Sequence, residues 1–180
     1  MQGTLAVIDM QKVFGTEGSD WYTAGFGAIV PVIARLEEAF GDAVVLTRYV
    51  APAQPWGSWV PYFEDWPAER QPREAELWDI VDGVFRPGAP VVTAVTFSKW
   101  GLELAGLVRD NRLILTGVST DCCVLSTALA AADAGIEVWV VSDATAGLDQ
   151  ATEQQALYIM GLYGPLIKIV TAAEVLGRGV

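Results

Sequence analysis

"LILTGVSTDCCVLSTALAAADAGIEVWVVSDATAG", residues 113–147, decides how the whole chain is read. It opens on an apolar run, with Arg112 to Thr116 as a strand ending at Gly117. A helix of about Asp121 to Ala134 follows, with Gly135 placed to close it as a C-cap. Ile136 to Val141 is then the next strand. Both strands are continuous apolar runs instead of alternating ones, the pattern of strands covered on both faces. The same stretch holds the only two cysteines, Cys122 and Cys123. Neighbouring Cα atoms lie about 3.8 Å apart, too close for ordinary disulfide geometry, so the pair is a poor staple. It is either two small buried apolar groups or one reactive thiol beside an inert one.

Working outward, the pattern repeats. Thr4 to Asp9 reads as a buried strand ending in an acid. Phe26 to Phe40 carries apolar residues at helical spacing, with Pro31 expected in its first turn or at a kink. Ala43 to Thr47 and Val91 to Val95 read as two more strands, and "LELAGLVRD" as a short helix. "ATEQQALYIMGLYG" reads as a helix, and "IKIVTAAEVL" as a sixth strand running into a terminal helix. Between the second and third strands, Ala51 to Arg73 is rich in Pro and Trp and has neither periodicity. It reads as an ordered excursion over the surface, and loops of this length are often functional. Alternation of strand and helix predicts an α/β fold: three layers around a mostly parallel six-stranded sheet. No linker or repeat interrupts it, so residues 1–180 are expected to form one domain.

Composition narrows the function. With 52% hydrophobic and 18% charged residues the chain fits a packed globule. A net charge of −11 argues against a nucleic-acid partner, since phosphate backbones select basic surfaces. No apolar run approaches the roughly 20 residues that span a bilayer. The N-terminus lacks the basic flank of a signal peptide, so a cytoplasmic location is expected. The chain contains no histidine, which removes Ser-His-Asp and Cys-His triads and every histidine-based metal site. A general base must be a carboxylate, a lysine or a tyrosine.

In open α/β sheets the ligand crevice lies beyond the carboxyl ends of the strands. Asp9 closes the first strand, Lys99 lies just past the third, and Cys122 and Cys123 open the helix after the fourth. A helix N-terminus and a nearby ammonium would favour a thiolate. Free N–H groups there can receive an oxyanion, and a carboxylate in reach can move the proton. Nucleophile, acid/base and electrostatic stabiliser are thus all present without histidine.

"LAVIDMQKVF", "SKWG" and the opening stretch, in this strand–helix order, resemble the isochorismatase-like cysteine hydrolases, which include nicotinamidases, N-carbamoylsarcosine amidase and isochorismatases. The resemblance covers nearly the whole chain and is weakest from Ala51 to Arg73. It implies a Rossmann-like fold of the isochorismatase type. The nucleophile motif of that family, G-V-x-T-D-x-C-V, falls on Gly117 to Val124 and makes Cys123 the implied nucleophile. Asp9 matches the family's aspartate, with Gln11 also matching. Aligning Ser98 on the family's "S-x-F" serine would put Ala94 at the lysine position, whereas a shorter loop puts Lys99 there; Lys99 is preferred. The resemblance also implies a non-proline cis bond at Val118–Ser119, with the Ser119 and Cys123 N–H groups as an oxyanion hole.

The resemblance thus implies hydrolysis of a C–N bond in a small amide, ureido or carbamoyl substrate through a covalent acyl-enzyme on Cys123. It implies no cofactor, and a homo-oligomer, dimer or tetramer. Alternatives are a vinyl ether hydrolase, a catalytically silent binding or assembly module, and a redox thiol protein. Nicotinamidases carry histidines for a bound metal, and no metal site is expected here. Arg48, at the end of the second strand, is a candidate to orient substrate. Trp21, Trp59 and Trp100 are candidates to wall a pocket, as are Trp56 and Trp66, or all of them pack subunits together. Trp78 and Trp139 read as packing residues, Cys122 as a small packing residue, Asp121 as an N-cap and Asp143 as a structural acid.

Overall fold

The computed structural model describes residues 1–177. Six strands form one sheet: β1 (Thr4–Ile8), β2 (Val44–Tyr49), β3 (Val91–Ala94), β4 (Arg112–Val118), β5 (Glu137–Ala146) and β6 (Ile167–Val170). Their order across the sheet is β3-β2-β1-β4-β5-β6. Every pairing is parallel. The chain moves one way from β1 to β2 and β3, then returns to lay β4 on the other side of β1. That reversal opens a crevice between the carboxyl ends of β1 and β4.

Strand residues point alternately to opposite faces, and both faces are dry. Leu5 and Val7 belong to one core, together with Ile114 and Val141. Ala6 and Ile8 belong to the other, together with Leu115 and Val140. Helix α1 (Lys12–Gly15) is a single turn; α2 (Phe26–Phe40) covers the first face with Phe26, Ile29, Ile33, Leu36 and Phe40. That three-and-four spacing makes one apolar stripe. After the short α3 (Trp59–Asp65) and α4 (Leu102–Ala105), helix α5 (Leu125–Asp133) packs small alanines on the second face. Helix α6 (Gln150–Gly161) joins it there, and α7 (Ala172–Gly177) returns to the first face.

Several local expectations need correction. Pro31 lies inside α2, beyond its first turn. It is exposed, so the carbonyl its missing N–H leaves over can turn to water. The segment after β2 is not irregular throughout. It holds α3 and single 3₁₀ turns at Pro67–Glu69 and Glu76–Trp78. Phe63 and Trp78 bury themselves without helical periodicity having marked them. Strand β5 continues to Ala146, past a register shift between Leu115 and Gly117 of β4. Gly135, at φ 85°, ends α5 as expected, with the Ile136 N–H returning to the Ala131 carbonyl.

Gly117 sets the rim. Its φ is 99°, and a Cβ there would meet the Ile8 carbonyl oxygen at 2.0 Å. Only glycine lets β1 and β4 run this close where the crevice begins.

Candidate active site

Three strand ends deliver three groups. Past β1, Asp9 turns into the left-handed backbone region at φ 47°, a conformation aspartate tolerates better than most residues. Its carboxyl group is fully buried and meets the Lys99 ammonium at 2.8 Å, with both side chains completely shielded from water. Thr47, at the neighbouring strand end, donates its hydroxyl to the other carboxylate oxygen at 2.7 Å and accepts the Asp9 N–H. Lys99 also donates to the carbonyls of Thr96 and Phe97 at 2.8 and 3.1 Å. The ammonium thus has two hydrogen-bond acceptors and faces Asp9 Oδ2 as an ion pair, an oxygen that accepts no hydrogen bond among the described residues. Buried charges persist only when paired, and here each charge faces the other.

The third group is Cys123. After β4 the Val118–Ser119 bond is cis. The next turn, Thr120–Val124, is a π-turn leading into α5, with the Val124 N–H reaching back to the Ser119 carbonyl. Such turns recur at functional sites. One hydroxyl ties two of the three groups together. Thr127 donates to the Cys123 carbonyl at 2.6 Å and accepts the Lys99 N–H at 2.9 Å. Gln11 bridges further back, bonding the Tyr49 and Trp78 backbones with its amide.

The Cys123 thiol is buried, and that burial pushes its pKa well above the ordinary value. The Lys99 ammonium pulls it down, while the charge of Asp9 and its hydrogen bond with the thiol push it up. Burial therefore opposes the thiolate that a helix N-terminus and an ammonium would favour. The sulfur sits out of water beside a carboxylate, and the one ammonium near it already belongs to that carboxylate.

Above the sulfur lies a cavity of about 180 Å³. Phe14, Trp21, Tyr49, Tyr62, Trp66 and Phe97 wall it, with Ser119, Cys122 and Cys123 at its floor and side and Asp20 and Asp121 also lining it. Trp21 organises the wall: it stacks on Phe14 at 5.9 Å and meets Tyr49 edge-on at 5.6 Å. Asp9 and Lys99 lie behind the wall.

Other expected residues are placed differently. Trp59 stands behind the wall, packed on Tyr62 and Phe97 at 5.3 and 5.1 Å. Trp100 packs against the core on the α5 side of the sheet and is not among the described residues lining the cavity. Arg48 lines a separate groove with Asp79, Asp82 and Phe85. Consecutive residues of β2 face opposite ways, so Arg48 is turned from the direction its neighbours Thr47 and Tyr49 take. Cys122 is exposed on the cavity side instead of packed inside. Asp121 does not cap its own helix; it accepts the Leu148 N–H at 2.9 Å and so anchors the loop after β5. Asp143 is structural, receiving the Ala172 N–H at the start of α7. Trp78 is fully buried, and Trp139 packs between the Arg112 and Lys168 cations. Thr47, Thr127, Tyr49, Tyr62 and Phe97 were not singled out from the sequence. Thr47 and Thr127 were legible as polar residues at a strand end and inside an alanine-rich helix.

Among the described residues no group of three or more metal-ligating side chains could hold a metal ion. With no histidine in the chain, the residues do not fit the metal of a nicotinamidase-type site. No described helix is long and apolar enough to cross a membrane.

Solved structures share this architecture. A cysteine hydrolase from Pseudomonas syringae pv. phaseolicola 1448A superimposes with a TM-score of 0.82 at 18% identity, covering 97% of this chain and 91% of that one. An isochorismatase family protein from Desulfovibrio vulgaris gives 0.80 at 25% identity, covering 97% and 98%. The zinc complex of pyrazinamidase from Pyrococcus horikoshii gives 0.76 at 27% identity, covering 93% and 98%. A comparison with curated proteins found no match. The isochorismatase domain model matches residues 4–174, nearly the full length, and the chain therefore belongs to the isochorismatase family of hydrolases.

Proposed function

We propose that this protein is a cysteine hydrolase that cleaves the C–N bond of a small amide, ureido or carbamoyl substrate through an acyl-enzyme on Cys123. The observation that carries this reading is the fully buried Asp9–Lys99 pair at 2.8 Å, set beside a thiol that opens onto a cavity. A buried ion pair is costly to maintain and weak as a stabiliser, so its place against the one buried thiol is better explained by chemistry.

As Cys123 Sγ attacks the carbonyl carbon, its proton passes to Asp9. Transfer at the moment of attack suits a thiol whose pKa is pushed up by burial. The carbonyl oxygen takes the negative charge at the N–H groups of Ser119 and Cys123, in the turn after β4. Asp9 returns its proton to the nitrogen, the C–N bond breaks, and the amine leaves a thioester. Water, giving a proton to Asp9, adds to the thioester carbon. Collapse expels the sulfur, which recovers that proton, and the acid is released. Lys99 holds Asp9 in place. Thr47 holds the second carboxylate oxygen, and Thr127 holds the Lys99 backbone against that of Cys123.

The test is release of ammonia or amine from a panel of small amides and ureas, with intact-mass detection of the acyl adduct. Cys123→Ala is expected to abolish turnover and the adduct while keeping its melting temperature near that of the wild type. Undiminished turnover in that variant overturns the assignment.

A further inference from the structure

The cavity has a chemical character apart from its reactive floor. Six aromatic side chains surround it, and the charged groups lining it are two carboxylates, Asp20 and Asp121. No lysine or arginine is among the described residues that line it. Lys99 offers nothing to an anion there, because its ammonium is held by Asp9 and two carbonyls.

We propose that the cavity takes a flat amide whose non-reacting end is positively charged, an organic cation of the pyridinium or quaternary ammonium class, ahead of a neutral isostere, and that it rejects an anion. This rests on the cysteine hydrolase reading for the reacting end of the substrate. Aromatic faces carry negative quadrupole potential, and a cation over such a face is stabilised most where water is displaced. The rings are fixed by one another: Trp21 touches Phe14, Tyr49, Tyr62 and Trp78, and Tyr62 packs on Phe97 at 5.8 Å. Burial pushes the Tyr49 and Tyr62 phenols upward, so both stay neutral. The only charge-bearing side chains among the described lining residues are the two carboxylates. An anionic ligand would be desolvated against them with no cation to receive it. At about 180 Å³, the space lies below the range of drug-sized pockets and suits one ring with short substituents.

Three amides of matched shape test this: 3-carbamoyl-1-methylpyridinium, 3-methylbenzamide and 3-carbamoylbenzoate. Their binding to Cys123→Ala is measured by calorimetry, and their hydrolysis by wild type through ammonia release. The cation is expected to bind about tenfold tighter than the neutral ring, and the anion at least about tenfold weaker. Asp20→Asn and added salt should both shrink the cation-to-anion ratio. Equal binding, a preference for the anion, a ratio unmoved by Asp20→Asn, or no binding of any probe overturns the proposal. If Cys123→Ala keeps the expected order while wild type releases no ammonia, the cavity inference stands and the hydrolase reading falls. If wild type hydrolyses the anion best, the hydrolase reading stands and the cavity inference falls.

Discussion

Two buried carboxylates in different regions of the molecule meet opposite fates. At the sheet's carboxyl rim, Asp9 has an ammonium on one oxygen and a hydroxyl on the other. On the outer face of the first core, Glu37 of α2 is 6% exposed, and its Oε1 has no hydrogen-bond partner among the described residues. Arg86 lies near but bonds the Glu37 backbone carbonyl instead. Burial therefore pushes the Glu37 carboxyl up to about 7, with Arg86 only partly opposing. The difference shows what a charge needs in a dry interior. Both carboxylates have an oxygen without a hydrogen bond, but Asp9 faces an ammonium at 2.8 Å, while Glu37 lacks a cation at its carboxylate and tends toward the neutral form.

The largest expected effect comes from neutralising the paired carboxylate. Asp9→Asn should lower turnover by about 10²–10⁴-fold, the usual worth of a positioned acid/base. The same variant should make the thiol more acidic, because it removes a charge and an acceptor that raise it while Lys99 remains. Alkylation of the Cys123 peptide, followed by mass spectrometry across pH, should begin at lower pH than in wild type. A midpoint shifted upward would break the comparison.

Next in size is loss of the partner. Lys99→Met leaves Asp9 buried beside an apolar chain and should cost about 3–5 kcal/mol of stability together with most turnover. Chemical denaturation and the ammonia assay measure the two. Stability unchanged from wild type would mean that the carboxylate has another source of compensation.

The smallest effect is expected at the orphan. The folded state holds the Glu37 proton more tightly than the unfolded chain does, with about 7 in place of 4.5. Its stability is full below about pH 4.5, declines as pH rises to about 7, and is flat above that. Glu37→Gln removes this decline. The variant should match wild type near pH 4.5 and exceed it by about 1–3 kcal/mol at pH 8. Denaturation at both pH values checks it; an advantage that is the same at both would remove Glu37 as the cause.

Much of this was legible in the residues because it rests on local pattern. Apolar runs four to seven residues long gave the strands, the three-and-four spacing gave α2 with its observed bounds, and Gly135 gave the end of α5. Asp9, Lys99 and the cysteine pair could be picked out because each lies next to a strand end, and the family motif then singled out Cys123. The short helix of residues 59–65 was missed because its burial depends on which loop happens to cover which ring. Arg48 and Trp100 were misplaced for a related reason. A side chain's direction at the end of a strand follows the pleat and the local turn, and residue type does not report either.

The sequence by itself determined a parallel α/β sheet and the absence of histidine chemistry, since periodicity and composition are properties of the chain alone; the choice of Lys99 and of Cys123 over Cys122 came from the family motif. Only the tertiary structure decided that burial pushes the thiol upward, that Lys99 is held by Asp9 and two carbonyls, and that the cavity is aromatic with acids and no bases among its described lining residues. Those properties depend on distance and on exclusion of water, which arise when segments remote in the chain pack against one another.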